Sequence, residues 1–199
     1  SHGMAMQAMR AAGVKAPLGI VLNQSPAMGA TDLATDRALA EREYALFVRW
    51  YMDPIFHKRY PTASGVHLYP QVRENAFDAI AQPLDFLGIN YYTRSGVSSE
   101  EPPRPAPRLD GVTDMGWEVY PQGLADLLTG IHREYRLPPI YITENGMANA
   151  DTLVDGQVHD AQRIAYLKGH LEALSRAIEA GVDVRGFFYW SLLDNYEWD

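Results

Sequence analysis

Residues 138–146 read Pro138-Pro139-Ile140-Tyr141-Ile142-Thr143-Glu144-Asn145-Gly146, and their reading decides the fold. The β-branched and aromatic run Ile140–Thr143 predicts a buried strand. It stops at a carboxylate, and Asn145-Gly146 behind it is a turn signal. A glutamate ending a buried strand is costly unless its charge has partners or a task. By itself the stretch better fits a strand that ends in a solvated glutamate before a turn. The segments around it decide between the two.

Upstream lie two more strands. Leu18–Leu22 ends at Asn23, and residues 84–92 (Leu-Asp-Phe-Leu-Gly-Ile-Asn-Tyr-Tyr) form the second. Downstream, Val184 to about Ser191 forms the fourth. Helical patterns fill the gaps. Residues 2–12 stop at Gly13. Thr31 or Thr35 can cap a helix running to about Tyr51 that Asp53-Pro54 should end. A short helical stretch covers residues 73–81. Leu124, Leu127, Leu128, Ile131 and Tyr135 make an i, i+3, i+4, i+7 stripe, with Pro121 at the helix start. Asp160 can cap a long helix with Ile164, Leu167, Leu171, Leu174 and Ile178 on one face and Gly181 as its stop. Four prolines in residues 100–108 predict an extended surface loop.

Three of the strands are almost continuously apolar, as in a parallel sheet covered on both faces. Strand starts recur every ~40–65 residues, a spacing that suits βαβ units with elaborated loops. The expected class is therefore α/β, with four strands making half of a (β/α)8 TIM barrel. The alternative is a small doubly wound sheet, but no Gly-rich phosphate loop follows any strand.

The 199 residues are 47% hydrophobic, enough for a sizeable core, and the net charge of −8 argues against a nucleic-acid partner. No apolar run approaches the ~18 residues of a membrane span, so no membrane partner is expected. There is no cysteine, which excludes disulfides and thiolate metal sites. His2, His57, His67, His132, His159 and His170 show no metal-ligand spacing, so neither a metal nor a cofactor is expected. The N-terminus lacks an initiator Met and shows no signal peptide, and the expected location is cytoplasmic.

In a parallel α/β sheet the active groups sit at the carboxyl ends of the strands. Those ends carry Asn23, then Asn90 and Tyr92, then Glu144 and Asn145, then Trp190, with Asp194, Asn195, Glu197 and Trp198 just beyond. Sugar recognition needs such a mixture. Amides and carboxylates bind hydroxyls, an indole stacks on the apolar face of a pyranose, and a central carboxylate can attack an anomeric carbon.

Three long motifs carry a family likeness. Phe86-Leu87-Gly88-Ile89-Asn90-Tyr91-Tyr92-Thr93, Tyr141-Ile142-Thr143-Glu144-Asn145-Gly146 and Trp190-Ser191-Leu192-Leu193-Asp194-Asn195-Tyr196-Glu197-Trp198 stand in order. Gly116-Trp117-Glu118-Val119-Tyr120-Pro121 and Val158-His159-Asp160 fit between them. The chain resembles glycoside hydrolase family 1, the β-glucosidase family, over nearly its whole length, with residues 60–75 fitting least well. The resemblance implies that Glu144 is the nucleophile of a retaining mechanism and that Tyr92 orients it. It further implies that Asn90 contacts the sugar 2-hydroxyl, Trp190 stacks beneath the ring, and Glu197 and Trp198 bind the 4- and 6-hydroxyls.

A retaining glycosidase needs a second carboxylate, and the family's Asn-Glu-Pro acid/base motif is absent. The resemblance thus implies a C-terminal half of a single barrel domain, strands five to eight, over residues 1–199. Its two open edge strands, near 18–22 and 184–191, would pair with a missing N-terminal half or with a second copy. The expected substrate is a terminal β-D-glucoside or related small saccharide. A binding or structural half barrel without turnover is the alternative. The Asn195-Tyr196-Glu197-Trp198 clamp favours an unphosphorylated sugar.

Overall fold

The computed structural model describes residues 1–62, 73, 75–103, 105, 110–193, 195 and 196. In chain order the elements are α1 (His2–Ala11), β1 (Gly19–Asn23), β2 (Ala27–Gly29), α2 (Ala34–Tyr44), α3 (Trp50–Phe56), α4 (Ala76–Ile80), β3 (Phe86–Asn90), β4 (Ser95–Val97), α5 (Pro121–Glu134), β5 (Ile140–Asn145), α6 (Ala161–Glu179) and β6 (Val184–Tyr189). The main sheet has the order β1-β3-β5-β6, and all three pairings are parallel. The expected α/β class and the four expected strands are therefore present, and β1 and β6 are the two edges.

The core lies on one side of this sheet. Alternate strand residues Leu22, Leu87, Ile89, Ile140 and Ile142 pack with Val48 and Met52, with Leu124, Leu127, Leu128 and Ile131 of α5, and with Leu174 and Ala177 of α6. Each fully buried Leu or Ile contributes about 1.5–3 kcal/mol. The five-residue stripe read on α5 is buried throughout, including Tyr135, whose hydroxyl donates to the buried Asp53 Oδ1 at 2.6 Å. The opposite face carries Val21, Gly88, Tyr141, Thr143, Gly186 and Phe188. There Val21 is 48% and Phe188 57% exposed. Cover on both faces was expected; among the described residues the helices cover only one.

Several local expectations are corrected. The helix after β2 does not stop at Asp53-Pro54. A π turn, Ala45–Arg49, leads into α3, which carries Pro54 inside it and runs to Phe56. A proline removes one backbone donor and crowds the preceding turn, and wide turns are where helices absorb such irregularity. Neither Thr31 nor Thr35 caps α2: Leu33 holds that position without a side-chain bond, and Thr31 instead donates to Asp36 at 2.6 Å. Asp160 precedes α6 with φ of 48° and makes no cap bond; its carboxylate holds Arg163 at 2.8 Å. On α6 the buried residues are Tyr166, His170, Ala173, Leu174 and Ala177, whereas Ile164, Leu171 and Ile178 are exposed. The helix is turned so that its small residues face its neighbours.

A second parallel pair, β2 with β4, was not foreseen. The fully buried Asp36 ties it to α2, accepting from the hydroxyls and backbone N–H groups of Ser99 and Thr31. The Ser99 hydroxyl, then that of Thr31, holds its carboxyl down at about 2.

Candidate active site

The carboxyl ends of β3, β5 and β6 meet at a cleft of about 380 Å3, lined among others by Tyr92, Trp117, Glu144, Gly146, Tyr189 and Trp190. Its geometry begins with an irregularity in β5. Opposite β3, Ile89 pairs with Ile142 but Asn90 pairs with Glu144, so β5 holds one extra residue there; a shift also separates Ile142 from Asn145 opposite β6. A bulge of this kind re-aims side chains at a strand end. Here it lets the consecutive residues Thr143 and Glu144 reach partners at the end of β3 and just beyond it. The Thr143 hydroxyl donates to Asn90 Oδ1 at 2.6 Å, and the Tyr92 hydroxyl donates to Glu144 Oε2 at 2.7 Å. β5 itself runs through Glu144 to Asn145, so the glutamate is held by the sheet rather than by a turn.

The backbone secures this arrangement. Tyr91 N–H donates to Glu144 O at 3.0 Å and Trp190 N–H to Asn145 O at 2.9 Å. Gly146 must be glycine, because a Cβ there would stand 1.8 Å from the Trp190 carbonyl oxygen. Trp190 lies one residue beyond β6, lines the cleft and is 40% exposed. Glu197, Trp198 and Asp194 lie outside the described residues.

The Gly116-Trp117-Glu118 segment supplies a wall of the cleft. Trp117 stands with its ring centroid 5.6 Å from that of Tyr92 and is 43% exposed. The next residue, Glu118, is turned away: its buried carboxylate takes the Arg94 guanidinium through Nε at 2.7 Å and Nη2 at 3.0 Å. Arg94 also lies 3.8 Å over the Tyr120 ring. Both Glu118 carboxylate oxygens are thus taken by one bidentate pair. Among the described residues that line the cleft, Glu144 is the one carboxylate. Among the described residues no cluster of His, Asp and Glu is arranged to hold a metal ion, and no helix is long and apolar enough to cross a membrane.

The chemistry available here is nucleophilic. A glutamate pinned by a tyrosine hydroxyl presents its second oxygen in a fixed direction. It opens into a cleft walled by indoles, as a sugar-binding site requires.

Comparison with known proteins shows the family. The model of glycosyl hydrolase family 1 matches residues 1–199. "Beta-glucosidase A" of Acetivibrio thermocellus is 39% identical over 100% of this chain and 47% of its own length. The crystal structure of the AHE enzyme from Alicyclobacillus herbarius superposes with a TM-score of 0.88 at 42% identity, covering 99% of this chain and 46% of that one. A β-glucosidase from Thermotoga maritima in complex with deoxynojirimycin gives 0.87 at 33% identity, with 99% and 46% covered. The chain thus spans about half the length of the relatives it matches.

Proposed function

Since the chain belongs to glycosyl hydrolase family 1, we propose that it is the nucleophile-bearing half of a retaining β-glucosidase acting on terminal β-D-glucosides. The observation that carries this is the 2.7 Å hydrogen bond from Tyr92 to Glu144 at the sheet's carboxyl end. Glu144 attacks the anomeric carbon and carries the glycosyl group as an ester, which water then cleaves. Tyr92 holds the carboxylate so that its other oxygen faces the sugar. Trp190 stacks on the apolar face of the pyranose. Asn90, whose oxygen is taken by Thr143, offers its NH2 group to the sugar 2-hydroxyl. Glu197 and Trp198 bind the 4- and 6-hydroxyls. The relatives that support the substrate class are β-glucosidases, one of them holding deoxynojirimycin.

The acid/base comes from outside these residues. A retaining enzyme needs its two carboxyl groups about 5–5.5 Å apart, and Glu118 is committed to Arg94. We assign the second carboxylate to an N-terminal half barrel that docks on β1 and β6 and closes over Val21 and Phe188, this chain supplying strands five to eight. Two observations support that partner over a second copy: the half-length match to the relatives, and the lack of a second carboxylate among the described residues lining the cleft, which a copy of this chain would not repair with Glu118. The test is hydrolysis of an aryl β-glucoside by the isolated chain and by a barrel made by joining it to the N-terminal half of a full-length relative. The joined barrel is expected to be active and the isolated chain nearly inert. Robust turnover by the isolated chain, or none by a folded joined barrel, contradicts the reading.

A further inference from the structure

We propose that Tyr166, on α6, is the positioning residue that sets the Tyr92–Glu144 pair. The shifts at the end of β5 leave that strand end one backbone bond to each neighbour, from Tyr91 N–H to Glu144 O and from Trp190 N–H to Asn145 O. Side-chain bonds add to them and meet at one hydroxyl. The Asn145 side-chain NH2 donates to the Tyr91 carbonyl at 2.8 Å and to the Tyr166 oxygen at 3.1 Å. With its oxygen accepting from this donor, Tyr166 directs its own proton to the Tyr92 carbonyl at 3.2 Å.

The polarity of this relay is fixed by the inventory of donors. An amide nitrogen only donates and a carbonyl only accepts, so the phenol between them has one orientation. Tyr166 thereby joins Asn145, the residue that follows Glu144, to the backbone of the residue whose hydroxyl holds Glu144. The ring is fixed as well. It is buried and stacks on His170 at 3.9 Å between centroids, and the His170 Nδ1–H donates to the Tyr166 carbonyl at 2.8 Å. Burial pushes the Tyr166 phenol up from its ordinary value, so it stays a donor at every working pH. Neither Tyr166 nor His170 is among the residues lining the cleft, so Tyr166 acts through Tyr92 and Asn145 rather than on substrate.

The catalytic weight of this role rests on Glu144 being the nucleophile; the positioning itself is measured without turnover. The 199-residue chain is labelled with tyrosine carrying 13C at Cζ, and the Tyr92 resonance is assigned by its loss in Tyr92→Phe. Glu144→Ala gives its position without the carboxylate partner. In Tyr166→Phe, which keeps the ring and its stack, the Tyr92 signal is expected to move at least half of the way toward that position. Asn145→Asp, which keeps the shape and removes the donors, is expected to do the same. Tyr135→Phe removes another buried tyrosine hydroxyl, one bonded to Asp53, and is expected to leave the signal in place. A Tyr92 signal unchanged in folded Tyr166→Phe and Asn145→Asp, or moved equally by Tyr135→Phe, overturns the proposal. In the joined barrel, capture of an activated 2-deoxy-2-fluoro-β-glucoside is expected to slow by about 10- to 100-fold in Tyr166→Phe, as misplacement of order 1 Å does. Absence of capture in the unsubstituted barrel speaks against the glucosidase reading alone and leaves the resonance result standing.

Discussion

The two faces of the same sheet differ more than any other two regions of the molecule. On one face Leu87, Ile89 and Ile142 are fully buried beneath α5 and α6. On the other, Val21 and Phe188 are half exposed, and the polar rim of Tyr92, Glu144 and Trp190 opens at the strand ends. Stability is concentrated on the covered face and chemistry on the open one. Among the described residues the sheet ends at two edge strands, β1 and β6. Substitutions on the two sides should therefore report on different quantities.

The largest effect is expected at Glu144. In the joined barrel, Glu144→Ala should lower turnover of an aryl β-glucoside by on the order of 10^4- to 10^6-fold, as loss of a covalent catalyst does. Azide should restore part of it by occupying the vacated space and attacking in its place. In the isolated chain the melting temperature should hardly move, because the carboxylate lies on the open side. Next comes the isolated chain against the joined barrel: loss of the general acid alone costs about 10^2- to 10^4-fold. Sedimentation of the isolated chain over a concentration series should show association through the open edges, and a compact monomer would break that expectation.

On the covered face, Leu128→Ala should cost about 2–5 kcal/mol by denaturant unfolding, with loss of rate only in proportion to unfolded protein. Acid should act there too. Burial holds the His170 imidazole down at about 4, below its unfolded value, so the folded state binds fewer protons than the unfolded one between about pH 6.5 and 4. Stability should thus fall as pH drops through that window, by roughly 3 kcal/mol in all, and His170→Phe should flatten the slope. Asp36, held at about 2, adds stability that is present above about pH 4 and lost as pH falls toward 2. The smallest effect is expected at Phe188. In the isolated chain Phe188→Ala should change stability within about 0.5 kcal/mol; in the joined barrel, where the open face is covered, its cost should rise to about 3 kcal/mol. Equal costs in both would remove the contrast between the faces.

The sequence carried the covered face well and the open one only in part. Stripes such as Leu124, Leu127, Leu128, Ile131 and Tyr135 state both a helix and its buried side, and all five are buried. On α6 the spacing was right but the phase was wrong. Leucine and isoleucine outweigh alanine in any reading of hydrophobicity, whereas Ala173 and Ala177 face the interior because small residues allow close approach. β2 and β4 have three residues each, too few for a period to show. At the site, Glu144, Tyr92, Asn90 and Trp190 were marked by strand ends and motifs. The bulge that lets Thr143 and Glu144 reach partners at the end of β3 and just beyond it, and the Tyr166 hydroxyl behind it, exist only through pairing between distant segments. No local pattern records them.

The central claim is that Glu144 forms a glycosyl ester. The direct measurement is incubation of the joined barrel with 2,4-dinitrophenyl 2-deoxy-2-fluoro-β-glucoside, whose leaving group needs no acid, followed by proteolysis and peptide mass mapping. The account expects one fluoroglucosyl adduct, on the peptide containing Glu144, and none in Glu144→Ala. An adduct on another carboxylate, or inactivation that persists in Glu144→Ala, would contradict it.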